Sequence, residues 1–219
     1  MGCIGRITEE YRQRMYDLLA LYARPYDRRE PVICVDEKSK QLLEHTRPVL
    51  PGGCGVLLKE DYDYRRAGTC NLFVAVEPQG GQRQVQVTAQ RTKHDFVGFI
   101  RHLVDTVYAT ARRVHLVLDN LNTHFRRTFV EVLGARQAKV FLRRVEFHYT
   151  PTHASWLNMA EIEIGILDRQ CIGRRIANAA ALAADVAAWQ QRRNGERQRI
   201  EWRFTRRDAD RKLGRHYVA

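Results

Sequence analysis

The chain has 219 residues, 44% hydrophobic and 28% charged, a globular composition long enough for a core and unlike that of a disordered protein. No run of eighteen or more apolar residues occurs, which excludes a membrane-spanning helix. Lys and Arg number 37 against 25 Asp and Glu, and the resulting charge of +12 favours a polyanionic partner, nucleic acid above all.

The five cysteines, Cys3, Cys34, Cys54, Cys70 and Cys171, form no CxxC pair and fit no zinc spacing. Free thiols in a reducing cytosol are the simplest account. Arg6 stands where a myristoylation pattern has Ser or Thr, and no signal-peptide core follows.

In chain order, residues 8–22 read as an amphipathic helix with Tyr11, Met15, Leu18, Leu19 and Tyr22 on one face. Residues 31–36 (PVICVD) read as a buried strand. Residues 38–69, with PGGCG at 51–55, read as loop with at most short strands. Residues 70–76 and 83–88 read as a hairpin about Gln79-Gly80-Gly81-Gln82. A helix over 93–110 presents Phe96, Phe99, Ile100, Leu103, Val104 and Val107. A buried strand over 114–119 follows, then a helix over 123–133 ended by Gly134, and a strand over 145–149 stopped by Pro151. Two helices, 155–169 with Ser155 as N-cap and 178–193, complete the pattern. This order gives an α/β fold with a mixed central sheet flanked by helices. The ribonuclease H-like fold has this order.

Two of these strands end in a carboxylate, at Asp36 in Val35-Asp36-Glu37 and at Asp119 in Leu118-Asp119-Asn120. A carboxylate at the edge of an apolar strand is costly without a partner. A salt bridge to an arginine is the ordinary use of either one alone. A third carboxylate lies on the helix beyond Pro151, where Glu161 and Glu163 both sit in apolar surroundings. Residues two apart face different sides of a helix, so only one can look toward the strand ends, and periodicity does not choose between them. Three hard oxygen donors suit magnesium or manganese, and a pair of such ions supports phosphoryl transfer.

The strings Val35-Asp36-Glu37, Asp119-Asn120-Leu121-Asn122-Thr123-His124 and Ser155-Trp156-Leu157-Asn158-Met159-Ala160-Glu161 resemble the catalytic domain of DDE transposases, in the bacterial insertion-sequence group related to the mariner transposons. The tail Ile200-Glu201-Trp202-Arg203-Phe204 and Asp208-Ala209-Asp210-Arg211-Lys212-Leu213 looks like that group as well. The resemblance runs from about Arg12 to the C-terminus. It implies that Asp36, Asp119 and Glu161 are the catalytic, metal-binding carboxylates; the family's spacing selects Glu161 over Glu163. It implies two Mg2+ or Mn2+ ions as cofactors. Asn120, Asn122 and His124 match the motif after the second aspartate and are expected to shape the site or touch DNA. Trp156 and Asn158 are expected to fix the helix against the sheet.

By the same resemblance, the chain cleaves double-stranded DNA at transposon ends and joins the freed end to target DNA, acting as a homodimer in the cytoplasm. The expected organisation is a linker helix over 1–30, a ribonuclease H-like catalytic domain over 31–195 and a basic tail over 196–219. The family's N-terminal helix-turn-helix modules do not fit before Asp36, so end recognition by this chain alone is not expected. Two other readings are a non-catalytic DNA-binding remnant or regulator and a stand-alone nuclease of the same fold. Residues 191–215 hold ten Lys or Arg and four Asp or Glu, a segment that reads as a phosphate-contacting arm or as a solvated, ion-paired surface.

Overall fold

The computed structural model describes residues 6–46, 63–121 and 124–217. Five strands form one sheet in the order β3-β2-β1-β4-β5: β1 (Val32–His45), β2 (Tyr64–Glu77), β3 (Gln82–Thr88), β4 (Val114–Leu118) and β5 (Val145–Tyr149). The pairs β1/β2 and β2/β3 are antiparallel; β1/β4 and β4/β5 are parallel.

The period of two along the strands sends alternate side chains to opposite faces. One face carries Ile33, Val35, Phe73, Ala75, Leu116 and Leu118, buried against Phe96, Phe99 and Ile100 of α2 (Lys93–His102), Phe129 of α3 (Arg126–Leu133) and Ala138 of α4 (Ala135–Phe141). The other face is covered in two parts. Cys34, Val76 and Val117 pack against α1 (Glu9–Tyr22) and α5 (Met159–Leu167). Leu42, Leu72 and Val74 pack against Leu182, Val186 and Trp189 of α6 (Ala179–Gly195).

The first helix begins where Thr8 Oγ1 accepts from the Tyr11 amide at 3.2 Å, and it buries Met15, Leu18, Leu19 and Tyr22. It also meets the C-terminal segment. Tyr22 and Trp202 rings lie 5.2 Å apart, the Ile7 amide donates to the His216 carbonyl at 2.7 Å, and α7 (Arg206–Leu213) buries Ala209 and Leu213 in the same cluster.

Several elements differ from the sequence expectation. The stretch expected as loop carries regular structure at both ends, since β1 runs on to His45 and β2 starts at Tyr64; residues 47–62 lie outside the described residues. The polar residues Lys38, Ser39 and Lys40 hide this strand, which is made by pairing with β2 and by Lys40 Nζ donating to the Ile172 and Arg174 carbonyls at 2.6 and 2.9 Å. The helix from Lys93 is α-helical only to His102 and then widens into a π turn over Leu103–Val107. Arg144 caps the end of that segment, donating to the carbonyls of Val104, Tyr108, Ala109 and Ala111 at 3.0–3.2 Å.

Gly134, at φ +77°, stops α3 as expected, but a further short helix, α4, follows it at once. Ser155 is not the N-cap of α5. Residues Ser155–Leu157 form a 3-10 turn, and Asn158 caps instead, its Oδ1 accepting from the Ala160 amide at 3.1 Å. The basic tail contains α7, which opens with a reciprocal capping box between Thr205 and Asp208.

Candidate active site

The parallel ladder pairs Cys34 with Val117. Carried two residues further, that register sets Asp36 alongside Asp119, where β4 has ended and β1 continues. Asp36 shares the face of Cys34, toward α1 and α5, whereas Asp119, past the end of β4, reaches His124. Glu161 lies in the first turn of α5 and is exposed. The three are near enough for the charges of Asp119 and Glu161 to act on Asp36.

Glu163 is elsewhere. It is completely buried, with its carboxylate accepting from Arg83 Nε and Nη2 at 2.9 and 3.1 Å and from Arg193 Nη2 at 3.1 Å. The side chain of Arg83 is itself buried and donates also to the Gly81 carbonyl at 2.8 Å. This ion cluster joins α5, β3 and α6 behind the sheet edge. The two glutamates thus divide between faces of one helix.

His124 stands at the centre of a second polar link. Its Nδ1 lies 2.6 Å from Asp119 Oδ1 and its Nε2 lies 2.8 Å from Glu37 Oε1. The ring stacks on Phe96 with centroids 4.5 Å apart. Burial opposes the charged imidazolium, but the two carboxylate bonds outweigh it and push the pKa up to about 9. Glu37 points to the opposite face from Asp36, and sequence reading missed it as a partner. The signal was present: of two adjacent acidic residues on a strand, one must face the packed side.

Asn120 ties three elements together. Its Oδ1 accepts from Arg14 Nη1 of α1 at 2.9 Å and its Nδ2 donates to the Thr150 carbonyl beyond β5. Asn158 Nδ2 donates to the Val35 carbonyl at 2.9 Å, fixing the start of α5 beside Asp36. Asn122 lies outside the described residues. Trp156 is not packed against the sheet: it is 41% exposed, with Trp202 stacked on it at 6.3 Å and Phe204 edge-on at 5.4 Å. The tail contributes those rings, which no periodicity in residues 196–204 announces. The turn into this region uses a left-handed residue, His153 at φ 62°, a conformation that histidine tolerates better than most residues.

The electrostatics of the site call for positive charge. The Asp36 carboxyl is pushed up to about 7, first by burial and then by the charges of Asp119, Glu37 and Glu161, against the stabilising Glu37 amide, which donates to Asp36 Oδ1 at 2.8 Å. His124 answers only for Asp119 and Glu37. A hard cation among Asp36, Asp119 and Glu161 suits this donor set.

Comparison with known proteins bears on the fold. The Mos1 mariner paired end complex with Mn shares the fold at a TM-score of 0.54 and 14% identity, over 99% of this chain and 64% of that one. The Mos1 strand transfer complex gives 0.55 and 14% over 90% and 63%, and the Mos1 paired end complex with Mg gives 0.56 and 13% over 100% and 68%. The chain therefore spans about two thirds of the length of these transposases. The fold is ribonuclease H-like, as the order of elements implied. No curated protein matches. Residues 31–183, which include Asp36, Asp119 and Glu161, match the family described as DDE superfamily endonuclease, and the chain belongs to that family.

Proposed function

We propose that Asp36, Asp119 and Glu161 are the catalytic carboxylates of a transposase domain that cuts double-stranded DNA at transposon ends and joins the freed end to target DNA. The observation that carries this reading is the parallel register that sets Asp36 alongside Asp119, with the charges of Asp119 and of Glu161 at the start of α5 both acting on Asp36. The catalytic domain is assigned to residues 31–195, flanked by residues 1–30, which include α1, and by the tail of 196–219, both of which pack against it. The Mos1 paired end and strand transfer complexes support transposon-end DNA as substrate; a homodimer acting on DNA in the cytoplasm belongs to the same reading.

Asp36, Asp119 and Glu161 would hold two Mg2+ or Mn2+ ions, which when bound activate an attacking oxygen and stabilise a leaving one. The rest of the work is positioning. His124 holds Asp119 through Nδ1 and is itself held by Glu37. Asn158 fixes the first turn of α5, and Asn120 fixes the end of β4. In the cleavage step, water oxygen bonds to phosphorus, the bond from phosphorus to the 3′ oxygen breaks, and that oxygen leaves with a proton. The products are a 3′-hydroxyl and a 5′-phosphate. In the joining step the 3′-hydroxyl oxygen bonds to a target phosphorus and gives up its proton, the bond from that phosphorus to the target's own 3′ oxygen breaks, and that oxygen leaves with a proton.

The test is nicking of supercoiled plasmid in Mn2+ or Mg2+, with the new ends assayed by polymerase extension. Metal-dependent nicks with extendable 3′-hydroxyls, abolished separately by Asp36→Asn, Asp119→Asn and Glu161→Gln, are expected. Nicking retained in the folded Asp119→Asn chain would contradict the assignment.

A further inference from the structure

A second group of ligating atoms lies away from the carboxylates. His115 is on β4, and Glu146 and His148 are on β5; the parallel register pairs His115 with Glu146 and Val117 with His148. The ligating atoms of the three side chains all lie within 4.8 Å of one another. His115 Nδ1 is 3.0 Å from His148 Nε2 and 3.8 Å from Glu146 Oε2, while His148 Nε2 is 3.9 Å from Glu146 Oε1. Ligands held at the usual zinc distances of about 2.0–2.1 Å in a tetrahedron stand about 3.3 Å apart. The His115–His148 and His148–Glu146 Oε1 separations bracket that value.

The surroundings favour a borderline transition metal over magnesium. Two imidazoles and one carboxylate are nitrogen-rich ligands. Desolvation lowers the pKa of both rings below the ordinary histidine value, His148 to about 4, so both carry free lone pairs at neutral pH. His115 is 3% exposed, which supplies a rigid back wall, whereas the Glu146 side chain is 43% exposed and leaves an entry path. His115 precedes Asp119 by four residues of extended chain, about 13 Å. Helix α1 and the turn after it span the same interval, with Arg14 of α1 on Asn120 and Arg24, past the helix, with Nη1 3.3 Å from His115 Nε2.

We propose that His115, Glu146 and His148 form a second metal site, for Zn2+ or a similar transition metal, which clamps β4 to β5 about 13 Å from the catalytic carboxylates. Without the ion, Arg24 donates to His115 Nε2, so His115 carries its proton on Nδ1 and donates it to His148 Nε2. Binding moves that proton to Nε2, where the Glu30 carboxylate, 3.9 Å away, is the nearby negative charge that would draw in to accept it. Arg24 then keeps its bond to Glu30 at 3.0 Å and gives up the imidazole. Arg113, 3.0 Å from Glu146 Oε2, leaves Oε1 open.

The test is a Co2+ titration of the whole chain in excess Mg2+, which occupies the carboxylates, read by visible absorption and calorimetry. One Co2+ per chain is expected, with the d–d bands of a nitrogen-containing site. Asp119→Asn leaves this binding unchanged, and Arg24→Gln tightens it. His148→Gln weakens it at least tenfold, and Glu146→Gln, at a more exposed position, weakens it in the same direction without threatening the fold. The proposal is overturned by no Co2+ binding in excess Mg2+, by binding that both His148→Gln and Glu146→Gln leave unchanged, or by binding that Asp119→Asn removes. None of these results bears on plasmid nicking, so this site and the catalytic reading stand or fall separately.

Discussion

Asn158 joins the helix of Glu161 to the strand of Asp36: its Nδ2 donates to the Val35 carbonyl at 2.9 Å while its Oδ1 accepts from the Ala160 amide at 3.1 Å. One buried side chain both caps α5 and sets its distance from β1. Asn158→Ala removes both bonds and is expected to cost about 1–2 kcal/mol in chemical denaturation. Asn158→Asp keeps the cap acceptor but faces the Val35 carbonyl with a second acceptor. It is therefore expected to lose cleavage although its helix remains capped, which circular dichroism and the nicking assay together would reveal.

Glu161 and Glu163 separate activity from stability. Glu163→Gln leaves the buried Arg83 and the half-buried Arg193 with unbalanced charge, and removing one partner of such a cluster costs about 3–5 kcal/mol. Glu161→Gln, at an exposed first-turn position, gives up less than about 1 kcal/mol of helix-dipole stabilisation. Denaturation midpoints and nicking rates for the two variants should diverge: a destabilised chain for Glu163→Gln, a stable and inactive one for Glu161→Gln. The opposite pairing would reverse the choice of glutamate.

The metal-free chain carries two pH signatures of opposite sense. Asp36 ionises near 3.8 when unfolded but only near 7 when folded, so stability falls as pH rises between those values. Asp36→Asn should remove this loss and be more stable than the parent at pH 7, with the gap closing near pH 4. His124 ionises near 6.5 unfolded and near 9 folded, so its contribution is full below pH 6.5 and is lost as pH passes 9. His124→Gln should flatten that alkaline limb. Thermal midpoints in chelator across pH 4–10 check both; a parallel pair of curves for Asp36→Asn and the parent would contradict the first.

Much of this arrangement was legible from residue types. The apolar run of β4 and the period-two hairpin of β2 and β3 gave the sheet, because their side-chain patterns are set by burial on its faces. The far half of β1 was not legible, since Lys38 to Gln41 is polar and becomes strand only through pairing with β2. Periodicity left Glu161 and Glu163 open because both glutamates sit among apolar residues. Only the third dimension, in the form of Arg83 and Arg193, explains why one of them is buried. The tail does carry the ion-paired surface read from its charges, in Arg203 with Glu201 and Arg211 with Asp208, but its Trp202 and Phe204 also turn inward toward α1 and Trp156.

The charge of +12 makes a further expectation quantitative. A duplex footprint neutralising six or more phosphates loses about 10³-fold in affinity between 50 and 200 mM salt. Fluorescence anisotropy with a nonspecific duplex should show that slope, and a flat response would remove DNA binding by the basic surface from the account.

The most direct test of the carboxylate site is calorimetric titration of Mn2+ into the parent chain, His148→Gln and the double variant that adds Asp119→Asn, each with and without duplex DNA. The account predicts Mn2+ binding that survives His148→Gln and is lost when Asp119→Asn is added to that variant, whether the carboxylate site is complete in the free chain or completed by DNA. Mn2+ binding that survives in the double variant, or no binding to the His148→Gln chain even with DNA present, would contradict it.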